Sequence, residues 1–311
     1  MMRVFVTGGT GLVGTRLLSD LRQRGHHAVV LSRRRIEDRT DAEFVQGDPT
    51  QPGAWQDAAA SCEAIINLAG EGIFNRRWND DFKKLIRVSR VLATRHCVEA
   101  LRRAPNRPDG TPKVLVNASA IGYYGSRGSE PLDESAAPGQ GFLPSVCVDW
   151  ELTARSAESL GVRVVLARIG IVLDKNGGAL ARMLLPFKLG AGGPIASGKQ
   201  YMSWVHIADV AGLLLFALEN PSVSGPMNVT APKPVTNKEF GKALGRALGR
   251  PAFVWTPGLA LRIMLGEGAA LVTEGQNVVP KKALDLGYSF RFPELDAALA
   301  DILRGPAKAA G

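Results

Sequence analysis

Cysteine is scarce in this sequence: Cys62, Cys97 and Cys147 are the only three in 311 residues, and four histidines accompany them. No pair has metal-ligand spacing, which argues against a zinc-type Cys/His cluster and a disulfide framework, and the odd count fits a reducing compartment. Long apolar runs are also missing. The central run Leu213–Leu218 is far too short to cross a bilayer. The start, M-M-R-V-F-V-T-G, enters a strand and turn at once, with no signal core or cleavage site. A soluble, cytoplasmic protein without membrane association is therefore expected.

What is present is an ordinary globular balance, 45% hydrophobic with a mean hydropathy of +0.01. The net charge of +9 invites a nucleic-acid reading. However, the bases are dispersed, often within helices that also carry acids, so nucleic acid is not the expected partner. The one tight cluster, Arg33-Arg34-Arg35, has a local explanation below.

Strands are expected at Arg3–Val6, Ala28–Ser32, Glu43–Gln46, Ala64–Leu68, Lys113–Ser119 and Arg163–Ile169. Helical patterns over Leu12–Arg24, Asp80–Arg103 and Ser145–Leu160 alternate with them. That order predicts an α/β fold, a Rossmann-like doubly wound parallel sheet over residues 1–173. Pro105–Pro112 reads as a loop, because repeated prolines cannot continue a helix. From residue 174 to 311 the texture becomes irregular, which predicts a smaller mixed α/β part on the substrate side. Residues from about 205 to 230 are expected to return to the first domain. Thr236 and Glu239 have capping-box spacing. The tail 255–303 reads as short helices around a Pro-Lys-Lys turn.

The strongest motif is Thr7-Gly8-Gly9-Thr10-Gly11-Leu12-Val13-Gly14, between a strand and a helix. Gly8 suits a tight turn, Gly11 lets the backbone approach a diphosphate, and Gly14 lets the helix pack closely. Amides at the helix N-terminus, including those of Leu12 and Val13, would receive the diphosphate. At the end of the second strand an acid would bond a ribose 2′-hydroxyl, as NAD requires. This chain has Ser32, Arg33 and Arg34 there, which suit a 2′-phosphate, so the expected cofactor is NADP. Asp48 either bonds the adenine amino group or caps its own turn. Asn67-Leu68-Ala69-Gly70 closes the fourth strand with small residues near the ribose. Arg90 either reaches back to the phosphates or lies on a solvated helix face.

Together with N-A-S-A-I-G-Y-Y-G at 117–125, these motifs resemble an extended short-chain dehydrogenase/reductase. The narrower match is to an atypical branch, the NAD-dependent epimerase/dehydratase family proteins with a short C-terminal domain of unknown function. It is carried by Arg77-Trp78, Ser89-Arg90, Val146-Cys147, Trp150-Glu151, Leu184-Leu185-Pro186-Phe187, Ser203 to Ile207, Gly275-Gln276 and Pro280-Lys281-Lys282, and so covers nearly the whole chain. The resemblance implies a seven-stranded NADP-binding domain with a smaller part closing a substrate cleft. It extends cofactor roles to Leu68, Ala69, Arg90 and Val172.

Ordinary members use a Ser, and a Tyr whose pKa a Lys lowers. Ser119 matches the Ser, but the Tyr and Lys positions read Val146 and Trp150, so the usual proton relay is absent. Tyr123 and Tyr124 are either substitute proton donors or packing residues. Glu151, Asp149 and Cys147 are further candidates, with solvated carboxylates and a buried thiol as the plainer readings. Met202 stands where sugar-nucleotide epimerases have an Arg for the substrate diphosphate, which argues against that substrate. Capping explains His206 and Asp209 better than catalysis. Arg182, Lys188 and Lys199 can attract an anion, while Trp78, Phe187, Trp204 and Trp255 either line an apolar pocket or form core. The expected activity is NADP(H)-dependent oxidoreductase or epimerase-like chemistry on an unknown small carbonyl or alcohol. The alternative is a non-catalytic NADP(H) sensor.

Overall fold

The computed structural model describes residues 1–104, 106–107 and 109–304, except the side chains of residues 264 and 265. The expected loop Pro105–Pro112 lies partly outside those residues, at 105 and 108.

In chain order the strands are β1 (Arg3–Thr7), β2 (His27–Ser32), β3 (Glu43–Gln46), β4 (Ala64–Asn67), β5 (Val114–Ala120), β6 (Pro131–Leu132) and β7 (Arg163–Ile169). They continue as β8 (Ile171–Asp174), β9 (Tyr201–Met202), β10 (Trp204–His206), β11 (Gly225–Val229), β12 (Val235–Thr236) and β13 (Asn277–Val278). The helices are α1 (Leu12–Gln23), α2 (Trp55–Ala60), α3 (Asp80–Arg103), α4 (Phe142–Arg155), α5 (Gly178–Lys188) and α6 (Ile207–Glu219). After them come α7 (Asn237–Leu248), α8 (Gly258–Leu265), α9 (Ala270–Thr273), α10 (Lys281–Asp285) and α11 (Leu295–Arg304).

Seven strands form one parallel sheet in the order β11-β7-β5-β4-β1-β2-β3. Val4, Phe5 and Val6 are all fully buried, because helices cover both faces and leave no reason for alternation. One face packs Leu17, Leu18 and Leu214 of α1 and α6. The other packs Trp55, Cys97, Leu101 and Ala154 of α2, α3 and α4. Register pairs Thr7 with both Leu31 and Asn67, and Asn67 with Asn117. The strand order reverses between β1 and β4, so the ligand crevice of this fold falls above those two C-terminal ends.

The helix expected at Ser145–Leu160, α4, starts earlier than the pattern suggested. It begins at Phe142 after Gly141, whose φ of 108° suits glycine, and it ends at Arg155. Pro144 lies in its first turn, where a missing N–H costs nothing.

The C-terminal part has its own core around Leu173, Trp204, Phe240, Leu244 and Leu299. Thr236 and Glu239 form the expected capping box on α7. His206 caps α6, its Nδ1 accepting from Ala208 N at 3.0 Å. Asp209 does something else: it accepts from Arg291 N at 2.8 Å and Phe292 N at 2.9 Å, tying the tail to α6.

The His206 ring stacks on Phe292 at 3.9 Å. Burial pushes its pKa down, although Asp301 opposes this from 3.2 Å. The unfolded chain therefore binds this proton more readily than the folded one, and stability falls as pH drops below about 6.5. Thermal melts across that range should show the loss, and His206→Gln should flatten it. Among the described residues no helix is long and apolar enough to cross a membrane.

Candidate active site

The glycine loop leaves the end of β1 with Gly8 at φ 68°, a left-handed conformation, and a Cβ there would lie 2.7 Å from Leu68 O. A side chain at Gly14 would collide with the Gly8 carbonyl. Gly11 N donates to Gly8 O at 3.0 Å, and Gly11 precedes α1 in extended conformation with no side-chain cap. Asn79, His206 and Thr236 each cap their own helices, while α4, α5 and α8, like α1, start without a side-chain cap. The first amides of α1 therefore face an exposed loop with no acceptor supplied by a cap, the arrangement that takes a diphosphate. Gly14→Ala should cost about 2 kcal/mol or more in urea unfolding, since the collision is with backbone that cannot yield.

Thr7 and Asn67 were expected among the cofactor contacts, but both are fully buried. Thr7 Oγ1 donates to Asn67 Oδ1 at 2.5 Å, and Asn67 Nδ2 donates to Thr94 at 2.9 Å and Asn117 at 2.7 Å. Their role is to fix the backbone of Leu68 and Ala69, whose Ala69 N donates to Thr7 Oγ1 at 3.2 Å. Arg90 is similarly committed: it donates to Ile86 O at 2.9 Å and Glu71 O at 3.0 Å, bracing the segment beside Gly70. It also lies 5.3 Å from the Trp150 ring, and burial lowers its pKa. Val172 is half-buried on β8 beside Val205.

Ser32 Oγ donates to Arg34 O at 2.7 Å and accepts from Arg34 N at 3.2 Å, curling the chain after β2. Arg35 pairs with exposed Glu37 at 2.6 Å. Arg33 and Arg34 are exposed and have no carboxylate partner among the described residues. Asp48 takes its capping reading, accepting from Thr50 N at 2.8 Å and Thr50 Oγ1 at 2.7 Å.

At the end of β5 the structure brings together a cluster that the sequence did not announce. Ser119 Oγ donates to Glu151 Oε1 at 2.7 Å. Arg168 on β7 grips both Glu151 oxygens at 2.8 Å and donates to Tyr124 OH at 2.9 Å. Tyr124 OH in turn donates to Asn228 at 2.7 Å. Arg168 also lies 3.5 Å from the Tyr123 ring centroid. Burial alone would discourage the Arg168 charge, but its bonds to Glu151 outweigh that and raise its pKa.

Glu151 is thus not the solvated carboxylate its helix suggested; it is 4% exposed. Tyr124 is also corrected: it is fully buried, its pKa pushed up to about 12 by burial, and its hydroxyl is committed. It cannot donate a proton to the crevice. Tyr123 is half-buried, its ring lying against Arg168.

Val146 and Trp150 turn toward α3. Val146 packs with Phe82 and Ile86, and the Trp150 indole donates to Thr94 at 2.8 Å. The α4 side chains facing the end of β5 are Leu143, Cys147 and Glu151. Gly122 lies against Leu143 Cβ and Cys147 Sγ, and burial pushes the Cys147 thiol up to about 12. A phenol–cation pair is absent from either set. Asp149 pairs with Arg87 on the outer side.

Met202 is buried beside Asn237, and Trp204 is core with its indole on Lys233 O. Phe187 is core, while Trp78 anchors its loop through Ile73 O at 2.8 Å. Trp255 alone of these aromatics is 60% exposed. Two surface grooves of about 460 and 430 Å3 lie on the outer side of α3/α4 and along α7, away from the strand ends.

Residues 4–230 match the NAD dependent epimerase/dehydratase family, and residues 256–302 match a domain of unknown function, DUF1731. The chain belongs to the NAD dependent epimerase/dehydratase family. Its relatives include epimerase family protein SDR39U1 of Mus musculus, 41% identical over 97% of this chain and 100% of that protein. Another is the SDR39U1 homolog of Arabidopsis thaliana, named chloroplastic, 41% identical over 97% of this chain and 87% of the relative.

Among solved structures, human epimerase family protein SDR39U1 (isoform 2) with NADPH superposes with a TM-score of 0.85 at 39% identity. It covers 97% of this chain and 99% of that one. A nucleoside-diphosphate sugar epimerase from Corynebacterium glutamicum gives 0.76 at 31%, covering 97% of this chain but 58% of its own. The expected family, with its C-terminal domain of unknown function, and the Rossmann-like fold are therefore correct.

Proposed function

We infer that this family member binds NADP(H) and acts as a slow oxidoreductase on a small alcohol or carbonyl held at Ser119. The observation that carries the reading is the glycine loop at the N-terminus of α1, together with the unpaired Arg33 and Arg34 at the end of the neighbouring strand β2. NADPH in the human relative supports the choice of cofactor.

The α1 amides would hold the diphosphate, Arg33 and Arg34 the 2′-phosphate on the turn that Ser32 curls, and Leu68 to Gly70 the ribose. A bound nicotinamide would supply or accept hydride, and the proton of the reacting oxygen would exchange with solvent water in the crevice. Ser119, 3% exposed, donates its own hydrogen to Glu151, so its oxygen is left to accept the hydrogen of a substrate hydroxyl, whereas a carbonyl substrate would have to take that hydrogen in place of Glu151. Glu151 and Arg168 hold that geometry; they fix Ser119 rather than relay protons. With no Tyr–Lys pair, positioning is what remains, and turnover is slow.

The non-catalytic alternative draws on one observation, that the titratable side chains clustered at the end of β5 are buried and committed. A cytoplasmic location and a small-molecule rather than nucleic-acid partner belong to the same proposal. The chloroplastic relative places one family member in an organelle.

The test is NADPH titration followed by a carbonyl and alcohol screen read at the nicotinamide absorbance. Turnover that falls about tenfold or more in Ser119→Ala supports the enzyme. Tight NADPH binding with no turnover supports the sensor.

A further inference from the structure

Several large apolar side chains are left in solvent: Leu185 at 65%, Leu189 at 74%, Trp255 at 60%, Leu259 at 70% and Ile263 at 69%. Large apolar side chains left exposed on adjoining elements point to a binding surface. The elements carrying these side chains meet end to end. At its start α5 lies on the glycine loop, with Leu12 3.2 Å from a Cβ at Gly177. One turn on, Arg182 reaches over the Phe74 ring at 5.6 Å, and Leu185 and Leu189 follow on the same helix face.

Beyond α5, Val254 N donates to Gly192 O at 3.0 Å and Ala196 N to Thr256 O at 2.9 Å, joining two extended segments. The Trp255 indole donates to Ala196 O at 2.7 Å, which fixes its ring. Next, α8 starts against Ala196 and exposes Leu259 and Ile263, one turn apart. It ends where Gly266 meets Arg77 and Gly268 meets Trp78, on the loop that carries Phe74. The circuit therefore closes, and its inner edge borders the glycine loop.

Bases outnumber acids on the circuit, although Glu274, next to the Thr273 that touches Gly258, is exposed and has no ion-pair partner among the described residues. Arg76, Arg77, Arg182, Lys188 and Arg262 are exposed, whereas the nearby acid Glu267 is taken by Lys83 at 2.9 Å. Resting on the cofactor reading above, we propose that the ring of α5, the 192–196 segment and α8 is the portal for a free single-chain anionic amphiphile, longer than the small substrate inferred above and carrying the alcohol or carbonyl that Ser119 would hold. Its chain lies on Leu185, Leu189, Leu259 and Ile263, and its acidic head meets the basic fringe. A circuit that encloses the edge of the cofactor crevice fits a substrate. A membrane or a second copy of the chain would need no such connection.

The experiment titrates the NADPH-loaded protein calorimetrically with dodecanoate, hexanoate and dodecyltrimethylammonium. At about threefold per methylene, dodecanoate should bind more than about a hundredfold tighter than hexanoate. The cationic amphiphile should bind several-fold more weakly than dodecanoate. Leu259→Asp and Ile263→Asp, both at solvent-exposed positions that fold without them, should each weaken dodecanoate about tenfold and leave NADPH affinity unchanged.

Equal affinity for the two chain lengths, no preference for the anion, or no effect of either substitution overturns the proposal. So does sedimentation with anionic vesicles in place of free amphiphile binding, or a dimer abolished by Ile263→Asp. Failure of NADPH itself to bind overturns the cofactor reading, and with it this substrate. NADPH binding without chain-length dependence overturns the substrate alone.

Discussion

Replacing both Arg33 and Arg34 by alanine lowers NADPH affinity by about a hundredfold and leaves NADH affinity within about twofold. Each guanidinium gives the 2′-phosphate a charge-assisted bond worth about 1.5–3 kcal/mol, and about 1.4 kcal/mol is a factor of ten. Both side chains are exposed and unpaired, so their removal leaves no buried partner and little effect on folding. Arg35→Ala serves as the control. Its guanidinium already pairs with Glu37, and the expected change is several-fold at most. Parallel NADPH and NADH titrations of the three proteins check the prediction. A double variant that loses both cofactors equally would mean that these arginines shape the loop rather than read the phosphate.

The second large effect is on stability. Glu151→Gln leaves the Arg168 guanidinium, 2% exposed, without its anionic partner, at a cost of about 3–5 kcal/mol. Replacing both partners together, as Glu151→Gln with Arg168→Met, should cost less than the first substitution alone, because no unpaired charge is then buried. Urea unfolding of the two variants gives the comparison. Tyr124→Phe removes two hydrogen bonds from the same cluster, the one donated to Asn228 and the one accepted from Arg168, and should cost about 1–3 kcal/mol. If Glu151→Gln unfolds no more readily than the wild type, the cluster is not the strut described above.

The fold was legible because its signals are local. Strings such as R-V-F-V-T and A-I-I-N mark buried parallel strands, and T-G-G-T-G-L-V-G marks the turn between β1 and α1. Thr236 and Glu239 announced their capping box at fixed spacing. The candidate site was legible only where a single segment builds it, as in the glycine loop and at Ser32 to Arg34.

Glu151, Arg168, Tyr124 and Asn228 come from four separate segments, and no spacing along the chain relates them. One signal was present: Arg168 sits in V-V-L-A-R-I, where a charge in a central strand demands a partner. Which helix face met the end of β5 was equally hidden. Val146 and Trp150 have the four-residue spacing of a catalytic pair, yet Leu143, Cys147 and Glu151 are the side chains turned that way. Thr7 and Asn67 are buried against each other for a related reason, since a polar residue at a strand end can face its neighbouring strand as readily as a ligand.

The central claim is a cofactor site selective for the 2′-phosphate in a chain without the usual proton relay. Its most direct test is calorimetric titration of the wild-type protein with NADPH and with NADH under identical conditions. The account predicts that NADPH binds at least about a hundredfold more tightly, from the two unpaired arginines. Equal affinities, or tighter binding of NADH, would contradict it.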